Sequence, residues 1–156
     1  NVTNAVEVLN GKAKLGKKIA VIGGGVVGTE VGLFLAEQGR EVMFIELLDT
    51  FMNGITFDEM IVYQERLQNL KTTVYTGKRL EHVTAKDITV IDRYGNRTKL
   101  AADSVVIAAG FKPDRKLIDN LKSKSKVQVV EAGDCIRPRK IFDAIHDGHL
   151  AAKLLG

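Results

Sequence analysis

Residues 17–30 read K-K-I-A-V-I-G-G-G-V-V-G-T-E, a short apolar run that breaks into three consecutive glycines, with a fourth glycine three residues further on. An apolar run of that length without polar alternation is the pattern of a strand buried on both faces. Over residues 26–38, Val27, Val31, Phe34 and Leu35 recur at helical spacing, and Gly39 supplies a stop signal. The glycines therefore stand at a strand-to-helix turn. In such a turn Gly23 permits the tight reversal, Gly25 leaves no side chain between backbone and a pyrophosphate, and Gly28 lets the helix lie close to the strand. The N–H groups at the helix start would face the phosphates, aided by the positive end of the helix dipole.

Working outward, R-E-V-M-F-I-E at residues 40–46 has the apolar core of a second buried strand and ends in Glu46. A carboxylate about 20 residues after such a glycine loop accepts hydrogen bonds from the adenosine ribose and repels a 2′-phosphate. Leu47 and Leu48 follow it, with no Arg to pair with a phosphate. The reading is NAD(H) in preference to NADP(H). A helix over residues 58–70, with Met60, Ile61, Leu67 and Leu70 on one face, and a strand at 73–76 complete a β-α-β-α-β unit. Its crossovers require parallel pairing.

After Gly77 the pattern changes to short alternating runs, L-E-H-V, D-I-T-V-I-D and R-T-K-L, around a turn at Gly95 and Asn96. They predict a three-stranded meander with one face to solvent. D-S-V-V-I-A-A-G at 103–110 returns to the buried parallel type. Beyond it come a short helical stretch near 115–121, a strand at 127–130 running into E-A-G-D-C, and a helix over 141–155 whose apolar positions are Phe142, Ile145, Leu150 and Leu154. Residues 1–16 are expected to form a short helix at 5–9 followed by a linker. The predicted fold is α/β: a Rossmann-like parallel sheet with helices on both faces and an inserted three-stranded β-meander.

At 156 residues and 45% hydrophobic, the chain has material for one ordinary core. It begins Asn1-Val2-Thr3 and shows no signal peptide and no apolar run long enough to span a bilayer, so a soluble, cytoplasmic protein cut from something longer is expected, with no membrane partner. Cys135 is the single cysteine, which excludes an internal disulfide and any C-x-x-C pair. The net charge of +4 is concentrated: residues 112–140 hold nine Lys/Arg against four Asp/Glu, and the rest holds 14 against 15. Few aromatics accompany that stretch, so a nucleic-acid partner is not expected. Tyr63, Tyr75, Tyr94 and His82 stand in no recognisable catalytic pairing. His146 and His149 lie three apart on one helix without a third ligand nearby, and read as a surface pair. Cys135 reads as a small apolar residue at a strand end. No catalytic residue and no metal ligand is assigned.

Three stretches together resemble one protein group: G-G-G-V-V-G-T-E at 23–30, A-D-S-V-V-I-A-A-G-F-K-P at 102–113, and E-A-G-D-C-I-R-P-R-K-I-F-D-A-I-H-D-G at 131–148. They are similar to the two-dinucleotide-domain flavoprotein reductases, and the last stretch to the C-terminal region of the NADH:flavin oxidoreductases of the 2,4-dienoyl-CoA reductase, 2-enoate reductase and NADH oxidase type, which carry an Old Yellow Enzyme-like barrel. The resemblance covers essentially the whole chain. It implies an NADH-binding domain inserted within an FAD-binding domain, behind a barrel holding FMN and a 4Fe-4S cluster. In that scheme residues 1–16 are a linker from the upstream FAD domain, 17–110 the NADH-binding domain, 111–130 the return connection and 131–156 the C-terminal part of the FAD domain.

By this likeness Gly23, Gly24, Gly25, Val26, Val27, Gly28 and Glu46 would bind the dinucleotide, and Glu30 would sit near its nicotinamide end. Ala109, Gly110 and Pro113 would form the loop where the chain leaves the NADH domain. Gly133 and Asp134 match the G-D motif that contacts FAD. The likeness makes the chain part of an enzyme that passes hydride from NADH to FAD and on, through iron–sulfur and FMN, to an enoate or dienoyl-CoA C=C bond. The first glycine loop of the FAD domain, the barrel and its cysteines have no counterpart here, so NADH binding without a complete flavin or substrate site is expected. The implied partners are NADH and the remaining FAD half and barrel, and homo-oligomer formation is left open. Gly32, where Ala is common in the group, softens the helix by about 1 kcal/mol. A member of the trimethylamine dehydrogenase branch, which has lost NADH use, is disfavoured by the intact glycine loop and Glu46. Two alternatives stand beside this reading, a piece of a pyridine nucleotide-disulfide reductase or NADH oxidase, and a non-enzymatic nucleotide-binding module.

Overall fold

The computed structural model describes residues 1–155, and in it the apolar run before the glycines is the middle strand of a five-stranded sheet. The chain divides into two units, Asn1–Gly110 and Phe111–Gly156. The first runs β1 (Val2–Asn4), α1 (Ala5–Leu9), β2 (Lys18–Ile22), α2 (Val26–Glu37), β3 (Glu41–Ile45), α3 (Phe57–Gln68), β4 (Thr72–Tyr75), β5 (Lys78–Val83), β6 (Asp87–Asp92), β7 (Arg97–Ala101) and β8 (Ser104–Ile107). The large sheet has the order β1-β8-β2-β3-β4 with every pair parallel. The predicted β-α-β-α-β unit is thus present, from β2 through β4.

Register explains why the strands read as unbroken apolar runs. Ile19 pairs with Val42, Val21 with Phe44 and with Val106, and these five side chains form one cluster with Ala5 and Val8 of α1, Val31 and Leu35 of α2 and Leu67 of α3. Ala20, Ile45 and Val105 belong to a second cluster, with Ile88 and Val90 of β6. Both faces of the sheet are therefore dry, and each large side chain removed from water contributes about 2–3 kcal/mol. In this unit α1, α2 and α3 contribute to one cluster and the antiparallel β5-β6-β7 meander to the other. The second face, where helices were expected, is covered by the meander because Ile88 and Val90 give it an apolar side of its own.

Residues 1–16 also depart from expectation. The short helix is present as α1, capped where the Asn4 side chain accepts from the Glu7 amide at 2.9 Å. Before it, however, Val2–Asn4 adds an edge strand to β8 rather than linker. Three residues are too few to show any periodicity. The start of α3 lies one residue ahead of its predicted position and is fixed by a capping box. Glu59 reaches back to the Thr56 amide at 3.1 Å, and the Thr56 hydroxyl accepts from the Glu59 amide at 3.4 Å.

The second unit contains α4 (Lys116–Lys124), a single 3-10 turn at Gly133–Cys135, and α5 (Ile141–Leu154). The strand expected at 127–130 is not formed. A strand needs a neighbour for its N–H and C=O groups, and no strand occurs among the described residues of this unit. An ion-pair cluster braces it instead: Arg115 grips Glu131 with two bonds of 2.9 Å and donates to the Cys135 carbonyl at 3.2 Å, while Lys122 approaches Glu131 at 2.5 Å.

Candidate dinucleotide site

In the large sheet, β2 is flanked by β3, the next strand in sequence, on one side and by β8, the last, on the other. All three strands are parallel, so the carboxyl ends of β2, β3 and β8 lie side by side at one edge of the sheet. A cleft of about 610 Å³ lies there, lined by Gly23, Gly25, Val26, Val27, Glu46, Ala109 and Gly110 among others. Seven of the residues assigned from sequence are thus brought to one place.

The glycines are required by their surroundings. Gly23 has φ +106°, and a Cβ on it would come 2.6 Å from the Ala108 carbonyl oxygen. A Cβ on Gly28 would overlap the Gly23 carbonyl oxygen, so the helix could not start where it does. Gly32, unexplained by sequence, has the same kind of reason: its Cβ would overlap the ring of Phe44, the fully buried residue of β3.

The electrostatics of the loop divide it in two. The Gly24 amide donates to Glu46 Oε2 at 2.5 Å and the Leu48 amide to Oε1 at 2.8 Å, so the buried carboxylate, 7% exposed, is held in one orientation by backbone. Each of its oxygens keeps lone-pair capacity for a further donor. The amides of Gly25, Val26 and Val27 find no acceptor among the described residues. These are the orphan donors of a helix start, suited to an anion. The cleft lining therefore offers both free N–H groups and an oriented carboxylate.

Gly24 and Gly28 support this arrangement from behind the lining. Glu30 does not line the cleft: from α2 its carboxylate accepts from the Tyr63 hydroxyl of α3 at 3.2 Å. Partial burial, and then the Glu30 charge, push the Tyr63 phenol above its ordinary value. Pro113, Gly133 and Asp134 belong to the second unit. There the Gly133 amide donates to Asp147 at 3.2 Å, and Asp134 accepts from the Arg139 amide at 3.3 Å. Asp147 also takes an ion pair from Arg139. His146 stacks on Phe142, with ring centroids 6.4 Å apart, and no group of three metal-binding side chains occurs among the described residues. No helix among them is long and apolar enough to cross a membrane.

Sequence reasoning missed part of the lining, notably Asn53 and the Lys78, Arg79 and Leu80 segment. The latter reaches the cleft because β5 starts directly after the glycine turn that ends β4, where the Lys78 amide donates to the Glu46 carbonyl at 2.9 Å. Gly77 was the available signal.

A family model described as pyridine nucleotide-disulphide oxidoreductase matches residues 2–144. The chain belongs to that family. The family as a whole implies NAD(P) and FAD binding, and the orphan amides and the oriented Glu46 carboxylate are groups of the kind a dinucleotide uses. Among curated members, the chain is 31% identical over 156 residues to a bilirubin reductase of Mediterraneibacter gnavus, covering 99% of this chain and 24% of that protein. It is 28% identical over 153 residues to an NADH oxidase of Thermoanaerobacter brockii, covering 97% and 24%. A solved 2-naphthoyl-CoA reductase in complex with 2-naphthoyl-CoA superposes with a TM-score of 0.84 at 29% identity, over 95% of this chain and 22% of that one. The chain thus spans about a quarter of the length of the relatives it matches. All three are oxidoreductases.

Proposed function

We propose that this chain is the NADH-entry part of a flavin-dependent oxidoreductase whose remaining domains carry FAD, FMN and a 4Fe-4S cluster. The observation that carries this reading is the presence, in the lining of one cleft, of both the free amides of Gly25, Val26 and Val27 and the backbone-held carboxylate of Glu46. The amides bind the pyrophosphate and Glu46 accepts from the adenosine ribose hydroxyls. Ala109 and Gly110, in the same lining, leave room for the nicotinamide half. The dinucleotide supplies hydride when bound, and the protein supplies binding and orientation. No side chain of this chain is given an acid or base role.

The names of the relatives support reduction of a conjugated, unsaturated acceptor by the parent enzyme, of the enoate or 2,4-dienoyl-CoA type. The relative named NADH oxidase supports a second reading of the parent, which uses the same nucleotide site. Gly133 and Asp134 supply the flavin-facing motif in both. The purified chain is expected to bind NADH one-to-one in calorimetry, to be colourless, and to show no NADH oxidase activity, because it offers one nucleotide cleft and a single short flavin-type motif. Failure to bind NADH, or stoichiometric yellow flavin in the preparation, would overturn this reading.

A further inference from the structure

Met52 is the one non-glycine residue with a positive φ, 64°, among the described residues, and it is 2% exposed. A long side chain rarely adopts this conformation. Such outliers persist where surrounding structure holds them and gather at functional sites. The surroundings here are specific. Met52 belongs to the apolar cluster on the helical face of the sheet, its neighbour Phe51 lies against Phe44 with ring centroids 4.9 Å apart, and the Ile55 amide donates to the Met52 carbonyl at 3.2 Å. The Met52 amide, in turn, donates to the Gly24 carbonyl at 2.7 Å.

That last bond acts on the nucleotide site. No peptide in the chain is cis among the described residues, so the carbonyl of Gly24 and the N–H of Gly25 point in opposite directions across their shared peptide plane. Gly25 lines the cleft and Met52 does not. Fixing the carbonyl on the Met52 side therefore aims the Gly25 N–H to the other side. The Gly24 amide is already held by Glu46 and its carbonyl also accepts from the buried Thr29 hydroxyl at 3.4 Å, so Gly24 is fixed at both its N–H and its C=O, the shorter bond to the carbonyl coming from Met52. We propose that Met52 is a positioning residue for pyrophosphate binding: its strained backbone, anchored through a buried side chain, sets the orientation of the Gly24–Gly25 peptide that presents a donor to the phosphates. The inference rests on the dinucleotide reading and adds to it the part that pre-orients the loop, which improves affinity by lowering the ordering cost on binding.

The test compares ADP-ribose, which carries the pyrophosphate, with adenosine, which does not, on the 156-residue chain. Met52→Leu keeps the anchor and is expected to bind both ligands within about twofold of wild type. Met52→Gly keeps the N–H but frees the backbone and removes the anchor. It is expected to lose about tenfold or more in ADP-ribose affinity while adenosine, followed by NMR shifts, changes by less than about twofold. A folded Met52→Gly with unchanged ADP-ribose affinity, or with equal losses for both ligands, would reduce Met52 to core filler and overturn the proposal. Hydrogen exchange on the wild type gives a second route that needs no variant. The Met52 amide is expected to exchange slowly and to slow further with ADP-ribose, whereas exchange at the rate of an open loop would contradict the role. Absence of ADP-ribose binding to wild type would instead remove the dinucleotide reading itself, leaving the Met52 amide protection as a separate result.

Discussion

The two units solve the problem of stability in different ways. Asn1–Gly110 has apolar clusters on both faces of its sheet, with Ile19, Val21, Phe44, Val90 and Val105 fully removed from water. In Phe111–Gly156 the one buried residue among those described is Gly133. Its long helix leaves Ile141, Phe142, Ile145 and Leu154 between 68% and 81% exposed, and what braces it are ion pairs around Glu131 and Asp147. Exposed ion pairs contribute little each, while buried apolar side chains contribute most of a domain's stability. The first unit thus has the means to hold a preorganised cleft, and the second carries Gly133 and Asp134 on a frame that leaves its own apolar helix face exposed.

That contrast can be broken most sharply by equivalent aromatic truncations. Phe44→Ala in β3 is expected to cost about 3–5 kcal/mol in urea unfolding, and Phe142→Ala in α5 to change it by less than about 0.5 kcal/mol. Similar losses at the two positions would mean that α5 is as well packed as β3. Next in size is Glu46→Ala, which strands the amides of Gly24 and Leu48 and is expected to destabilise by about 1–3 kcal/mol. No comparable cost attaches to Asp134→Ala in the second unit, where the carboxylate is exposed. Gly32→Ala gains about 1 kcal/mol of helix propensity yet forces the Phe44 ring to move. A net loss of about 1–2 kcal/mol is expected from overpacking, and a net gain would show that the ring yields freely.

How far the sequence could be read follows the same division. The strand before the glycines, the α2 helix and Glu46 were legible because backbone geometry and ribose chemistry demand particular residue types at particular spacings. The reason for Gly32 was not, because it lies in Phe44, twelve residues away and on another element. Met52 gave no signal either, since an apolar residue in a loop does not announce a positive φ. The edge strand at Val2–Asn4 is specified by its pairing with β8, about a hundred residues later, rather than by local pattern. The expected strand at 127–130 shows the reverse case, an apolar run that finds no pairing partner within its unit. In the second unit Gly133 and Asp134 were found by resemblance, and their local contacts to Asp147 and Arg139 emerged with the structure.

The smallest effect concerns acid. Arg115, and then Lys122, hold the Glu131 carboxyl down to about 2, against an ordinary value of 4.5. Because the folded value lies below the unfolded one, this contribution is fully present above the ordinary value and is lost as pH falls toward 2. Carboxyl NMR is expected to show Glu131 titrating near 2 and Arg115→Gln moving it upward, with α4 amide protection weakening over the same range. An unchanged midpoint in Arg115→Gln would leave the brace around Glu131 without its main partner.

Discrimination between NADH and NADPH tests the central claim most directly, because the proposal rests the choice of dinucleotide on Glu46. Calorimetric titration of the 156-residue chain is expected to show NADH binding at least about tenfold more tightly than NADPH, with the difference collapsing in Glu46→Ala. Equal affinities in the wild type, or a preference for NADPH, would contradict the role given to Glu46 and with it the reading of the cleft as an NADH port.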